Sequence, residues 1–207
     1  MTKGKYMDLI VIAGMPASGK TTYARKLSRA TGYPIVEKDS IKEELFDTLG
    51  FACYAEKTKL DVAATAVLLR VADEMLASDQ SLILVNNFRD DAKEALEKLI
   101  AKHNCRCVIV FFGGDSDVFY QRYVERDRRG VRHLGHVLQL RFPPQEGDAL
   151  YHEMDREEFR RKFEMLGMDK LQVLGGTRVN VDATYPENLD ADALNEEILR
   201  ALDTNKN

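Results

Sequence analysis

A run of eight residues near the start of the chain has the spacing of a phosphate-binding loop. Gly14 to Thr21 reads GMPASGKT, which fits the pattern G-x-x-x-x-G-K-[ST]. Glycines let the backbone turn tightly, so that several N–H groups and a helix N-terminus face one anion. In such a loop Lys20 reaches the β- and γ-phosphates of a nucleotide, and the Thr21 hydroxyl can hold Mg²⁺. Lys20 is therefore predicted to be catalytic as well. The residues predicted to bind the nucleotide are Gly14, Pro16, Ala17, Ser18, Gly19, Lys20, Thr21 and Thr22, together with Arg126 from a later segment.

The flanking residues have the patterns of a strand and a helix. Residues 9–13 are all apolar, and after the loop apolar side chains recur at helical spacing as far as Gly32. Further along, short apolar runs alternate with helical patterns, which is typical of a parallel sheet covered on both faces. We therefore predict an α/β fold with five strands, in a single domain over residues 1–207.

Asp39 is the strongest candidate for the residue that accepts a proton from the substrate. It follows the predicted second strand, and ligands in open α/β sheets bind beyond the carboxyl ends of the strands. A kinase acting on an alcohol needs a carboxylate that takes the hydroxyl proton. The alternative is a helix cap, although Ser40 with Glu43 also fits a capping box that could cap the helix alone. Lys42 either binds the acceptor or is a solvated lysine.

The metal site is less well defined by the sequence. Asn86 and Asn87 follow the third strand, where many P-loop proteins have an aspartate for Mg²⁺. Either Asp39 helps to hold Mg²⁺, or Thr21 and the phosphates hold it with little help from the protein. The asparagines could orient an acceptor hydroxyl, or could form a local turn.

An arginine-rich segment follows the fourth strand. Arg122, Arg126 and Arg129 recur at helical spacing, and residues 122–138 are predicted to form a lid over the phosphates. Arg126 and Arg129 are predicted to be catalytic because arginines stabilise the charge that develops in phosphoryl transfer. The alternative is a solvated face on which Glu125 pairs with Arg129. Residues 139–176 are irregular and are predicted to form an insertion near the site.

The composition of the chain argues against several other classes of protein. The 207 residues carry a formal net charge of −4, which argues mildly against a dedicated nucleic-acid binder. The three cysteines form no C-x-x-C pair, and this usage is expected of a protein in the reducing cytoplasm. Neither a secretory signal nor a membrane span is recognisable in the sequence.

Taken together, these motifs resemble the small P-loop kinases of the polynucleotide-kinase, zeta-toxin and chloramphenicol-phosphotransferase type. The resemblance covers most of the chain and is weakest over residues 139–176. It implies a sheet in the order 2-3-1-4-5, ATP and Mg²⁺, and an acceptor-activating aspartate at Asp39. It also implies that residues 132–136 belong to the lid and that residues 181–184 lead to the adenine. Two positions depart from the family pattern, namely Asn86 and Lys42.

These observations favour an ATP-dependent kinase whose partners are a nucleotide and a small molecule with a hydroxyl group. A nucleotide-binding regulator or slow NTPase, and a 5′-hydroxyl nucleic-acid kinase, are the alternatives. The sequence does not identify the acceptor. We expect its specificity to depend on Lys42, Phe46, the helix from Glu56 and residues 142–151.

Overall fold

Five parallel strands form a single sheet at the centre of the molecule. A computed structural model describes residues 6–151, 153–165 and 167–204. The strand order is β2-β3-β1-β4-β5, which confirms the predicted fold. The strands are β1 (Asp8–Gly14), β2 (Ile35–Glu37), β3 (Leu82–Val85), β4 (Arg106–Gly113) and β5 (Gly176–Asp182).

The burial of the strands follows from their sequences. Every residue of β1 and β3 is buried, as expected for apolar runs covered by helices on both faces. β5 lies at the edge of the sheet, and there Val179 and Val181 point inward while Asn180 and Asp182 are exposed. The sheet is therefore anchored by β1, which pairs with both β3 and β4 and leads directly into the phosphate-binding loop.

Helices pack against this sheet and join its strands. The cap of the helix Ser116–Arg128 (α5) is Asp115, whose carboxylate accepts a hydrogen bond from the backbone N–H of Asp117 at 2.8 Å. The sequence predicts that Asp155 caps a charged helix, and Asp155 does cap Arg156–Phe159 (α7), through the N–H of Glu158 at 2.7 Å. The α-helices are α1 (Lys20–Thr31), α2 (Lys38–Leu49), α3 (Tyr54–Ala77), α4 (Lys93–His103), α5 (Ser116–Arg128), α6 (Leu134–Val137), α7 (Arg156–Phe159) and α8 (Ala191–Thr204).

The predicted capping box at the start of α2 is wrong. The helix begins at Lys38, directly after β2, so Ser40 lies within its first turn, and no side chain caps the helix. Glu43 instead contacts the lid, as described below. The sequence also favours Asp90 or Asp91 as the cap of α4, but both residues lie in a 3₁₀ turn ahead of it, and no side chain caps α4.

The segment over residues 139–176 is part of the main core. Phe159 is fully buried, and its ring lies 5.6 Å from that of Tyr120 and 5.5 Å from that of Tyr123 on α5. Met168 and Leu171 are also buried in this core. The segment therefore fixes the position of α5, from which the lid arginines project. Within the described part of the chain, no helix has the length and apolar character needed to cross a membrane.

Candidate active site

The loop between β1 and α1 needs glycine at two positions. Gly14 has a φ of +130°, and an added Cβ would lie 2.2 Å from the carbonyl oxygen of Phe112. Gly19 has a φ of +87° directly before α1, in the left-handed region that favours glycine. No side chain caps α1. The free N–H groups of its first turn, which holds Thr21 and Thr22, are thus available to an anion.

Two polar groups in the loop are held ready for a negatively charged ligand. The Lys20 amine donates to the carbonyl oxygens of Gly14 at 2.9 Å and Met15 at 2.6 Å. Burial lowers the pKa of Lys20 to about 7, although the nearby Asp39 carboxylate opposes that shift. The hydroxyl of Ser18 is buried and has no hydrogen-bond partner among the described residues. A phosphate would supply partners to both groups.

The lowered pKa of Lys20 predicts that ATP binding takes up protons. At about pH 8 the amine is mostly neutral in the free protein, and the phosphates of ATP raise its pKa and so favour the charged form. We expect uptake approaching about one proton per ATP, measured by calorimetry in buffers of different ionisation enthalpy. A Lys57→Met variant is the control, because burial lowers the pKa of Lys57 to about 7 as well, at a position away from the loop. Binding without proton uptake would contradict the prediction.

A carboxylate that sequence analysis did not select lies beside the loop. The Thr21 hydroxyl donates to Glu37 Oε1 at 2.5 Å, and Glu37 is the last residue of β2. Asn86, by contrast, accepts a hydrogen bond from the N–H of Asn87 at 2.7 Å, which supports its role in a local turn. β2 therefore places a carboxylate at the loop, whereas the sequence has two amides after β3. The place of Glu37 at the carboxyl end of a strand is the signal that could have found it.

The residues at this point fit Mg²⁺. Oxygen donors from Thr21 and Glu37 are in contact, and Asp39 and Glu37 both act on the charge of the Lys20 amine. The described residues contain no group of three or more His, Cys, Asp or Glu arranged to hold a metal. That is compatible with Mg²⁺, which proteins usually bind through one or two carboxylates together with substrate phosphates and water.

Asp39 lies in the first turn of α2 and is accessible to solvent. Its carboxylate makes no hydrogen bond with the described residues, so the helix-cap alternative is not supported. Desolvation alone would raise its pKa, but the positive charges of Arg132, Lys38 and Lys42 outweigh desolvation and lower it. The nearby His136 contributes only while its imidazole is protonated, and burial lowers the pKa of His136 to about 2. Asp39 is therefore an ionised carboxylate with free lone pairs, facing the Lys20 end of the loop.

The two predicted catalytic arginines have different positions. Arg126 lies close enough to the loop for its charge to lower the pKa of Lys20, and its guanidinium lies 5.2 Å from the centre of the Tyr123 ring. Its Nη2 is buried without a hydrogen-bond partner among the described residues, and its Nε only faces Asp127 Oδ1 at 3.5 Å. Arg129 does not join Arg126 near the phosphate-binding loop, because the side chain of Arg129 is 68% exposed and forms a salt bridge with Glu125.

Arg132, which the sequence placed in the lid without a catalytic role, lies beside Asp39 instead. Its side chain is only 17% exposed, and its Nη1 lies 3.5 Å from Asp127 Oδ1 and 3.4 Å from Tyr123 Oη. The charge of Arg132 is one of those that lower the pKa of Asp39. Arg126 and Arg132 therefore approach the site from the same side, with the ring of Tyr123 in contact with both.

The lid segment over residues 132–136 is fastened to α2. The imidazole Nε2 of His133 lies 3.0 Å from Asp47, and that of His136 lies 3.0 Å from Glu43. Between them Gly135 packs against the ring of Phe46, where an added Cβ would lie 2.2 Å from Cδ2. Phe46 is fully buried by this contact, so it supports the lid and is not an open specificity residue.

Basic residues surround the space in front of Asp39. The amines of Lys38 and Lys42 share one carboxylate oxygen of Asp61, at 2.9 and 2.5 Å. Lys42 is thus largely buried and paired, and burial lowers its pKa despite Asp61. On α3, Lys57 donates to the backbone oxygens of His136 and Leu138, which ties α3 to the lid. The space beside Asp39 is therefore suited to an anionic ligand.

The loop after β5 is tied to α5 on the opposite side of the phosphate-binding loop. Arg122 donates from Nη1 to the oxygen of Ala183 at 3.1 Å and from Nη2 to that of Thr184 at 2.6 Å. Thr184 in turn accepts from the N–H of Asp115 at 2.9 Å. Arg122 therefore holds in place the segment that sequence resemblance connects with the adenine.

Comparison with known proteins agrees with this architecture. A family model described as an AAA domain matches residues 9–140. A solved structure from Chloroflexus aurantiacus, provisionally described as a kinase, superposes with a TM-score of 0.79 at 27% identity. The superposition covers 95% of this chain and 98% of that one.

More distant structures share the fold. A gluconokinase from Sinorhizobium meliloti has a TM-score of 0.53 at 17% identity, covering 97% of this chain and 94% of its own. A shikimate kinase from Aquifex aeolicus has a TM-score of 0.52 at 16% identity, covering 95% and 97%. Among curated proteins, a cytidylate kinase from Pyrobaculum calidifontis is 39% identical over 72 residues, which is 32% of this chain and 39% of that protein. The chain thus spans about two fifths of the length of this curated relative.

Proposed function

Because the chain belongs to the AAA domain family and has a P-loop kinase-like fold, we propose that it transfers the γ-phosphate of ATP to a hydroxyl group of a small molecule. The observation that carries the proposal is the position of Asp39. It is a carboxylate without hydrogen bonds to the described residues, kept ionised by the positive charges around it, beside the phosphate-binding loop. A carboxylate with free lone pairs at this place is suited to accept the proton of an acceptor hydroxyl.

Each step of the transfer has a residue suited to it. Asp39 accepts the proton of the acceptor hydroxyl as the hydroxyl oxygen forms its bond to the γ-phosphorus. The bond between the γ-phosphorus and the bridging oxygen breaks, and ADP leaves. Lys20 and Arg126 stabilise the negative charge on the phosphoryl oxygens, since both nitrogen groups lie at the loop and Arg126 Nη2 is unpaired there.

Thr21 and Glu37 would hold Mg²⁺, with Asp39 close by. The ion would neutralise charge on the β- and γ-phosphates. Glu37 adds a carboxylate that the sequence-based assignment of the metal to Thr21 and Asp39 did not include. This arrangement leaves Asp39 free to act as the base.

The proposal is tested by measuring ADP release with a panel of hydroxyl-bearing metabolites, nucleosides and oligonucleotides. We expect at least one class of small molecule to raise ADP release above the rate without acceptor, and the phosphorylated product to appear in equal amount. Stimulation by oligonucleotides alone would favour the nucleic-acid kinase. If no acceptor changes the rate, the protein transfers phosphate only to water and the proposal is wrong.

A further inference from the structure

A cavity of about 470 Å³ lies between the start of α3, the end of the lid and the segment over residues 139–176. Its volume is in the range of about 300 to 1,000 Å³ that is usual for small-molecule sites. Most of its wall is apolar or aromatic, and the side chains that matter here are Tyr54, Leu138, Leu140, Ala149, Tyr151 and Lys162. The cavity is therefore shaped for a molecule with an apolar body.

The two positively charged side chains of the cavity wall, Arg141 and Lys162, differ in whether they have partners within the protein. Arg141 forms an ion pair with Asp148, whose Oδ2 lies 3.3 Å from its Nε, and its Nη1 donates to Gln145 at 2.6 Å, although its buried Nε makes no hydrogen bond with the described residues. Lys162 is half-buried, and the described residues offer its amine no hydrogen bond and no ion pair within contact distance. Burial lowers the pKa of Lys162, and the charge of Glu158, one turn earlier in the same wall, opposes that shift. A half-buried amine that lacks a direct partner at the wall of a cavity is suited to an anionic group of a ligand.

The cavity wall and Asp39 are connected through shared neighbours, since the charges of Lys42 and Arg132 act on both Asp39 and Lys162. In the structure, Leu138 of the cavity wall packs with Phe46 of α2, and the Lys42 amine lies 5.4 Å from the centre of the Phe46 ring, so the wall adjoins the helix that carries Asp39. Leu138 connects the two regions as well, because its side chain lines the cavity and its carbonyl oxygen accepts a hydrogen bond from Lys57. A ligand in the cavity would thus extend toward the carboxylate that is proposed to activate the acceptor.

We propose that this cavity binds the acceptor, and that the acceptor is a hydroxyl-bearing molecule with an apolar or aromatic body and one anionic group, a carboxylate or a phosphate, held by Lys162. This inference rests on the proposed function and adds the chemical class of its substrate. A polyol acid such as gluconate fits poorly, because its many hydroxyls would lose their water against Leu138 and Leu140 without gaining partners.

The test measures binding to the full chain with Mg²⁺ and a non-hydrolysable ATP analogue. Fluorescent naphthalene probes separate the features: 6-(hydroxymethyl)-2-naphthoate carries a carboxylate, 2-naphthyl phosphate a phosphate, and 2-naphthalenemethanol no charge. We expect at least one anionic probe to bind about tenfold more tightly than the neutral alcohol, the size of one charge-assisted hydrogen bond. The Lys162→Met variant is expected to lose this difference. The Arg161→Met variant, which removes a charge from the neighbouring exposed residue, is expected to keep it.

The second part of the test fills the cavity with a large side chain. Ala149→Trp is expected to abolish probe binding while leaving the melting temperature and ATP binding unchanged, because Ala149 is an exposed residue of the wall. Equal affinity for charged and neutral probes, an unchanged preference in Lys162→Met, or displacement of the probe by D-gluconate would overturn the inference. Failure of the kinase proposal gives a different pattern: the probes would bind through Lys162, yet no acceptor would stimulate ADP release.

Discussion

Replacing Asp39 with Asn is expected to slow phosphorylation of the acceptor by about 10²- to 10⁴-fold, the range contributed by a general base. The amide has nearly the same size and can still form hydrogen bonds, but it cannot accept the hydroxyl proton. ATP affinity is expected to be unchanged or higher, because a negative charge is removed from the neighbourhood of Lys20. Initial rates of product formation at saturating ATP and acceptor, together with calorimetric titration of ATP, measure the two effects.

The matched control for this variant is Glu44→Gln. Glu44 lies on the same helix as Asp39, is exposed, and has no hydrogen bond or ion pair with the described residues. Its replacement removes the same charge from α2 and is expected to leave transfer unchanged. If Asp39→Asn transfers phosphate at the normal rate, Asp39 is not the base. If no acceptor is phosphorylated and hydrolysis by water is unchanged in Asp39→Asn, the protein acts as an NTPase.

The sequence predicts those parts of the structure that depend on local pattern. The phosphate-binding loop needs particular residue types at Gly14 and Gly19, and the buried strands are continuous apolar runs, so both are visible without knowledge of the fold. Asp39 is also found by local reasoning, since it follows a strand of the predicted sheet. The caps at Asp115 and Asp155 depend on neighbours two or three residues away.

What the sequence did not predict depends on contacts between distant segments. Glu37 is paired with Thr21 across 16 positions, and no spacing rule connects a residue of β2 with the first turn of α1. Glu43 matches a capping box locally, yet its partner is His136, 93 positions away. Here a tertiary contact replaced a local one, because the lid presents a buried imidazole to the outer face of α2. Lys162 was missed for the same reason, since only the folded chain brings it near Lys42.

Arg126 and Arg129 differ in their surroundings, and helical spacing in the sequence could not predict this difference. Arg126 and Arg129 are both suited by type and spacing to contact phosphates, and the sequence alone treats them alike. The folded chain gives Arg129 a partner in Glu125 one turn earlier and leaves it 68% exposed, while Arg126 lies near the loop, beside Tyr123. The two residues therefore form a matched pair for experiment, because they lie on one helical segment and carry the same charge.

Replacing Arg126 with Ala is expected to lower the rate of transfer by about 10²- to 10³-fold, as for other donors that stabilise charge in a transition state. The reason is that Arg126 Nη2 is buried near Lys20 with no partner in the described part of the chain, so a phosphoryl oxygen can complete its hydrogen bonding. Removing it also relieves the repulsion between two neighbouring positive charges, so the free protein is not expected to be less stable.

The comparison with Arg129→Ala makes this prediction decisive. That variant loses an exposed ion pair with Glu125, which is worth little in water, so its transfer rate is expected to stay within about twofold of the unmodified protein. Equal losses in the two variants would mean that the lid moves on binding and brings Arg129 to the phosphates as well. A loss in Arg129→Ala alone would contradict the assignment of Arg126. Rates at saturating substrate distinguish these outcomes, because a purely structural effect of either change would also appear in the melting temperature.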